Sequence, residues 1–329
     1  MVETKQIKKD PVKLYYTKEY YNEFDNIDKT PDFPTLILLE ATSHCNMDCL
    51  MCLRRVHVQE REKTGLGEGH MSLELIKKIV AECKDEKGLL GLHFAEYGEP
   101  LMNPEMVDIV SCIKSAGLKS QIVTNALLLD EKMARRLIEA GLTKVKVSLQ
   151  GATSEKYEFW RNNKLYNRIE DNILNLVKIR DAMKSDLFIQ VGTSSCDDTE
   201  EELEAFIKYW KDKVDHVYWN YTALSHIKDD PILKTINILR EAPKKTENCK
   251  ELFLRMTVAW NGQVTQCPRD EENFVGDLNK QTVREVWHSE KMVNNRRLVL
   301  EKGNCLPHCD YCVCQPKETL PYNYRYEEK

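Results

Sequence analysis

The chain lacks long apolar runs. Its longest, such as Leu36-Ile37-Leu38-Leu39, are far too short to span a bilayer, and residues 1–16 are charged, without the apolar stretch of a secretory signal. A cytoplasmic location with no membrane partner is therefore expected. Glycine (13) and proline (11) are scarce among 329 residues; with 42% hydrophobic and 31% charged residues, this excludes collagenous, low-complexity and disordered chains. Positive charge is not in surplus either. Forty-eight Lys and Arg stand against 53 Asp and Glu, a net charge of −5 with no basic stripe, so nucleic acid is not an expected partner. The length lies at the upper limit for a single hydrophobic core, so one main domain with a smaller appendage is expected.

Cysteine, by contrast, is abundant. The twelve fall at 45, 49 and 52, then singly at 83, 112 and 196, then at 249, 267, 305, 309, 312 and 314. In a reducing compartment such clusters read as metal ligands or reactive thiols, not disulfides. Cys83 and Cys112 fall within helical patterns and read as small buried hydrophobes.

Between the clusters the chain alternates. Apolar runs at 36–40, 89–94, 121–124, 145–149, 187–191 and 216–221 read as six strands. Helical patterns at 72–86, 104–116, 130–140, 167–183 and 199–210 separate them, with Gly117 and Gly141 as stop signals. Short apolar strands alternating with helices indicate an α/β fold with a parallel sheet and right-handed crossovers, either doubly wound or an incomplete barrel. Functional groups are then expected at the carboxyl ends of the strands. From about residue 226 the rhythm changes. A hairpin is expected over 255–266, turning at Asn261-Gly262, followed by one helix over 282–300. This gives an N-terminal extension (1–34), a barrel-like domain (35–225) and a cysteine-rich module (226–329), the last too short and polar to fold well without its metal.

Cys45-Asn-Met-Asp-Cys49-Leu-Met-Cys52 places three thiols in one loop after the first strand. A structural zinc site wants four protein ligands, whereas a four-iron cluster on three cysteines keeps one iron open for a non-protein ligand. Iron and sulfur are favoured, with His44 as the residue through which zinc stays an alternative. This loop, followed by repeated βα units, resembles the signature of the radical S-adenosylmethionine (SAM) superfamily. Gly98-Glu99-Pro100 after the second strand, Thr124-Asn125 after the third, Ser148-Leu-Gln-Gly-Ala152 after the fourth, and Arg161 match the family's pattern in order.

The resemblance implies a partial (β/α)6 TIM-like barrel that binds SAM and a [4Fe-4S] cluster on Cys45, Cys49 and Cys52. It also implies that Gly98, Glu99 and Pro100 contact the methionyl amino group, that Met51 lies near the adenine, and that Arg161 reaches the SAM carboxylate. Asn125, Ser148 and Gln150 complete the implied set, with Gln150 standing where the family often carries Asp. If Glu99 faces the barrel interior, strand alternation puts Tyr97 and His93 on the same side as candidate substrate contacts. Each of these residues alone also has an ordinary reading as turn, core or solvated charge.

Cys249, the Gly262-x4-Cys267 hairpin and Cys309-Asp-Tyr-Cys312 resemble the SPASM auxiliary-cluster module in its shorter Twitch form, as do Val275-Gly276-Asp277-Leu278 and Arg296-Arg297. The resemblance implies a second [4Fe-4S] cluster on Cys249, Cys267, Cys309 and Cys312, leaving Cys305 and Cys314 spare, although Cys309 and Cys312 are also spaced as in a zinc knuckle. The implied activity is reductive cleavage of SAM to a 5′-deoxyadenosyl radical that takes a hydrogen atom from a substrate carbon. The favoured outcome is oxidation of a hydroxyl carbon on a small polar, sugar- or aminocyclitol-like substrate, with the auxiliary cluster accepting an electron. Trp219 and Tyr221 suit a hydroxylated ring.

Other outcomes stay open. They are an epimerase with Cys196 returning hydrogen, a maturase of a ribosomal peptide, and a non-catalytic iron–sulfur or zinc protein. The 35 residues before the first strand are too few for an appended winged-helix peptide-recognition domain, which lowers the maturase reading. Flavodoxin or ferredoxin is the expected electron donor.

Overall fold

A computed structural model describes residues 11, 27–55, 66–222, 224, 231–235, 249, 251–267, 273–303, 306 and 309. Cys305, Cys312 and Cys314 lie outside the described residues.

Six strands and their crossovers build the frame: β1 (Leu36–Leu39), α1 (Leu73–Cys83), β2 (Leu92–Phe94), α2 (Met106–Ser115), β3 (Ser120–Thr124), α3 (Glu131–Glu139), β4 (Lys144–Gln150), α4 (Ser154–Arg161), α5 (Tyr166–Ala182), β5 (Phe188–Ser195), α6 (Glu200–Trp210) and β6 (His216–Tyr221). All six strands pair in parallel, in the order β6-β5-β4-β3-β2-β1, and the sheet does not close on itself. This is the partial barrel. Helix starts follow side-chain caps: Ser72, Asp130 and Thr199 each accept from a first-turn amide, Thr199 within a capping box.

Three features differ from the pattern expected of the sequence. Helix α4 is an additional element, started by Thr153 and stopped by Asn162 in the left-handed region. The expected helix over 282–300 is two, α7 (Val283–Trp287) and α8 (Glu290–Lys302), because Ser289 accepts from Met292 N and starts a new helix. The hairpin expected of a separate module instead extends the barrel sheet. Strand β7 (Arg255–Val258) pairs in parallel with β1, and β8 (Gln263–Thr265) and β9 (Phe274–Asp277) continue antiparallel, giving nine strands in one sheet.

The two faces of this sheet differ in chemistry. Ile37, Leu39, Leu92, Phe94, Val145, Val147, Ile189 and Val191 face the helices in one buried apolar core. The alternate positions face the barrel interior in horizontal rows fixed by register. One row runs His93, Gln121, Lys144, Phe188; the next runs Val123, Lys146, Gln190, His216. Above these come Ser148, Gly192, Tyr218 and then Gln150, Ser194, Asn220. Among the described residues no helix is long and apolar enough to cross a membrane.

Candidate active site

The loop of Cys45, Cys49 and Cys52 leaves the carboxyl end of β1 and is held from two sides. On one side, Glu99 N donates to His44 O at 2.8 Å, and Gly98, with φ of +79°, lies so close that a Cβ there would stand 2.0 Å from Thr42 O. On the other, Leu50 N donates to Trp160 O at 2.8 Å and the buried Arg161 donates from Nη1 to Cys49 Sγ at 3.4 Å. Arg161 Nη2 also donates to the Ser148 carbonyl and hydroxyl. The extra helix α4 thus ends on the residue that reaches the cysteines.

Glu99 is fully engaged by the chain itself. Its carboxylate accepts from Thr124 Oγ1 at 2.6 Å, Asn125 N at 2.8 Å and Leu101 N at 3.2 Å, and burial pushes its pKa up. Asn125 passes the contact on, donating from Nδ2 to Asn46 Oδ1 in the cysteine loop at 2.7 Å. The Gly98-Glu99 turn, the end of β3 and the cysteine loop are therefore one hydrogen-bonded unit.

These parts enclose a cavity of about 430 Å³. All three cysteines line it, together with Met51, Gly98, Glu99, Asn125, Ser148, Gln150 and Arg161, so the structure brings the implied SAM-binding set to one place; Pro100 is buried just behind, at the start of a 3-10 turn. Tyr97 also lines the cavity, while His93 sits deeper, in the lowest interior row. His44 is not in the lining; its ring lies 4.8 Å from that of His70. Burial pushes Cys45 up to about 11 and Cys52 upward, so holding three thiolates together here requires a cationic partner. Among the described residues no three metal-binding side chains gather tightly enough to hold one metal ion. Three thiols spread along one wall without a fourth protein ligand fit a multi-atom cluster with an open iron better than tetrahedral zinc.

Cys249 and Cys267 lie at the other end of the sheet. Strand β7 enters beside Leu36, the start of β1, with Leu254 O accepting from Thr35 N and Leu36 N, and Cys249 packs on the neighbouring Leu252, Phe253 and Leu254. Cys267 follows Thr265, which pairs with Thr257, so it leaves the sheet where β7 began. Cys309 donates its backbone N–H to Leu306 O, and Leu306 packs on the same small core as Cys249. Two thiol groups therefore stand at opposite ends of the barrel strands, with the interior rows between them.

The family model of the Radical SAM superfamily matches residues 39–209, and that of the SPASM iron-sulfur cluster-binding domain matches residues 249–313. The chain belongs to the radical SAM superfamily. It is a radical SAM enzyme, and its two matched domains imply SAM and [4Fe-4S] clusters as cofactors. Among curated relatives it is 31% identical over 123 residues to a PqqA peptide cyclase of Bradyrhizobium diazoefficiens (37% of this chain, 30% of that protein). It is 30% identical over 145 residues to a tungsten-containing aldehyde ferredoxin oxidoreductase cofactor-modifying protein of Pyrococcus furiosus (44% and 39%). The matches thus span about two fifths or less of those relatives. Among solved structures, Streptococcus suis SuiB bound to S-adenosylmethionine superposes with a TM-score of 0.62 at 13% identity, over 85% of this chain and 72% of that one. BtrN in complex with AdoMet and 2-DOIA superposes with a TM-score of 0.52 at 20% identity, over 81% and 87%. These likenesses show a shared fold.

The remaining sequence candidates lie apart from the radical SAM cavity or outside description. Cys196 is buried just past β5, with Gln150 Nε2 at 3.4 Å from Sγ, and burial pushes its pKa up to about 12; it is not in the cavity lining. Trp219 stands on the face opposite Tyr218, in register with Thr193, and nothing is described of the Tyr221 side chain. Gln121, Lys146 and Gln190, inward-facing in the structure, are not among the sequence candidates. Period-two alternation in Lys144-Val-Lys-Val-Ser-Leu-Gln150 was the available signal for the inward face of β4.

Gly98→Ala should weaken SAM binding on the order of tenfold or more and lower iron retention, because a Cβ both clashes with Thr42 O and forces a side chain into the left-handed region. Equilibrium dialysis with SAM, together with iron analysis, measures both. Wild-type affinity would contradict the role of this close approach.

Proposed function

We propose that this enzyme removes two hydrogens from a hydroxyl-bearing carbon of a substrate held in the barrel interior, between its two cysteine groups. Bound at Cys45, Cys49 and Cys52 and along the Gly98–Arg161 set, the cluster and SAM would supply the 5′-deoxyadenosyl radical that takes the hydrogen atom. Cys249, Cys267, Cys309 and Cys312 would hold the group that receives the second electron, while the second proton leaves to a base. The chain's own work is positional: the Glu99–Asn125–Asn46 contacts and Arg161 fix the cavity over the interior rows. The observation carrying this reading is the placement of Cys249 and Cys267 at the end of β7 and β8 remote from the first cysteine loop, with a polar interior between. We place the barrel at 35–225 and the auxiliary module at 226–329, and take flavodoxin or ferredoxin as electron donor.

A peptide substrate is a second reading, favoured by relatives named PqqA peptide cyclase and by the likeness to SuiB bound to precursor peptide SuiA. Hydrogen return by Cys196, which would make an epimerase, is disfavoured by the burial of that thiol away from the cavity lining. The deciding experiment is product mass in deuterium oxide. The expected product is two hydrogens poorer than the substrate, and Cys196→Ala still forms it. One solvent deuteron at the reacting carbon, lost in Cys196→Ala, would make the enzyme an epimerase instead.

A further inference from the structure

Helix α4 ends on two contacts that hold the cysteine loop: Trp160 O accepts from Leu50 N at 2.8 Å, and Arg161 Nη1 donates to Cys49 Sγ at 3.4 Å. Yet the helix cannot place itself. Ser154–Arg161 is only eight residues long, below the length at which a helix is stable in isolation, so its position has to come from tertiary contacts.

The loop after β5 supplies such contacts at both ends of the helix. Asp198, fully buried, accepts from Ala152 N at 2.6 Å, just before the Thr153 cap. Asp197 Oδ1 accepts from Trp160 Nε1 at 2.8 Å, one residue before Arg161. Between them, Lys156 Nζ donates to the Asp197 carbonyl and to Glu202 Oε2. The loop is itself anchored, with β5 on one side and the Thr199–Glu202 capping box of α6 on the other. Neither Asp197 nor Asp198 is in the cavity lining. Their carboxylates hold α4, and α4 holds the cysteine loop.

We propose that Asp197 is a positioning residue of the radical SAM site: through the Trp160 indole it fixes Trp160 O and the Arg161 guanidinium, the two groups on which the cysteine loop rests. The bond suits that task, because a carboxylate acceptor makes it stronger than a neutral pair would, and a small displacement of a binding group is costly. Asp197 is half-buried whereas Trp160 is fully buried, so the carboxylate can be changed without opening a cavity in the core. The inference rests on the proposed placement of SAM beside Arg161.

The test uses the anaerobically reconstituted full chain, with equilibrium dialysis of SAM and the SAM dependence of 5′-deoxyadenosine formation under dithionite. Asp197→Ala should keep its iron and bind SAM about tenfold more weakly, with KM for SAM raised to match and kcat of cleavage within about twofold of wild type. Asp197→Asn, which keeps the acceptor oxygen, should recover most of the affinity. Trp160→Phe removes the other partner, and its loss combined with that of Asp197→Ala should be clearly less than additive, because both act through one bond. Asp130→Ala, which removes the cap of α3, should lower Tm and leave SAM affinity unchanged. Wild-type affinity in Asp197→Ala, no recovery in Asp197→Asn, fully additive losses, or an equal loss in Asp130→Ala would overturn the role. Should Trp160→Phe fail to load iron, the Ala and Asn variants of Asp197 decide the matter. Arg161→Ala binding SAM as wild type would defeat the placement of SAM itself, whereas a weakened Arg161→Ala beside an unchanged Asp197→Ala would overturn the positioning role alone.

Discussion

Replacing Cys45, Cys49 and Cys52 together by Ala should halve the iron of anaerobically reconstituted protein, from about eight atoms per chain to about four, and abolish SAM cleavage. Three thiols line one wall of the cavity, and its lining offers no fourth cysteine or histidine to replace them. The rest of the cavity should survive the change, because Glu99, Asn125 and Arg161 are tied to backbone and side chains beyond the thiols: Glu99 to Thr124 and Leu101, Asn125 to Leu127 N, Arg161 to Ser148. Iron analysis and assay of 5′-deoxyadenosine after dithionite reduction therefore report on the first cysteine group alone. SAM cleavage persisting in the triple variant, or zinc in place of iron, would contradict the assignment. Loss of all eight irons would mean that the two groups do not assemble independently.

The alternation of strands and helices was legible because the strands of a parallel sheet are apolar on the helix side, and Ser72, Asp130, Thr199, Gly117 and Gly141 punctuate the helices. The cysteine loop was legible because its residues are close in sequence. Helix α4 escaped because Ser154–Arg161 is short and its charged and aromatic residues blur the 3.6-residue period; only the Thr153 cap marks it. The joining of β7 to β1 could not be read at all, since Thr35 and Leu254 meet across 219 residues and local pattern carries no such information. The interior rows were hidden for another reason. Lysines alternating with valines in β4 look like a half-solvated edge strand, and only the parallel pairing on both sides turns that polar face into the lining of a barrel.

Changing Cys309 and Cys312 to Ala is expected to separate the two ends of the barrel by role: reductive SAM cleavage continues, while conversion of substrate falls to background. The reason lies in where the chain puts its thiols. The first group opens into the cavity at the carboxyl end of β1, and the contacts that position it among the described residues come from the Gly98-Glu99 turn, Asn125 after β3, α4 and the Glu68-Gly69 segment. None comes from the cysteine-rich segment at the amino end of β7, so its loss should not reach the SAM cavity. Some stability will be lost, because metal binding contributes to the folding of small cysteine-bound segments. That loss should stay local, since β7 and β8 are held by β1 and by the apolar core through Met256, Val258 and Val264. With the second group gone, a substrate from which one hydrogen atom has been taken has no nearby acceptor for its remaining electron, and uncoupled 5′-deoxyadenosine should form without oxidised product. Liquid chromatography and mass spectrometry of both products from the same reaction give the ratio directly. A folded double variant with full product yield would remove the redox role from this segment and leave it a structural one.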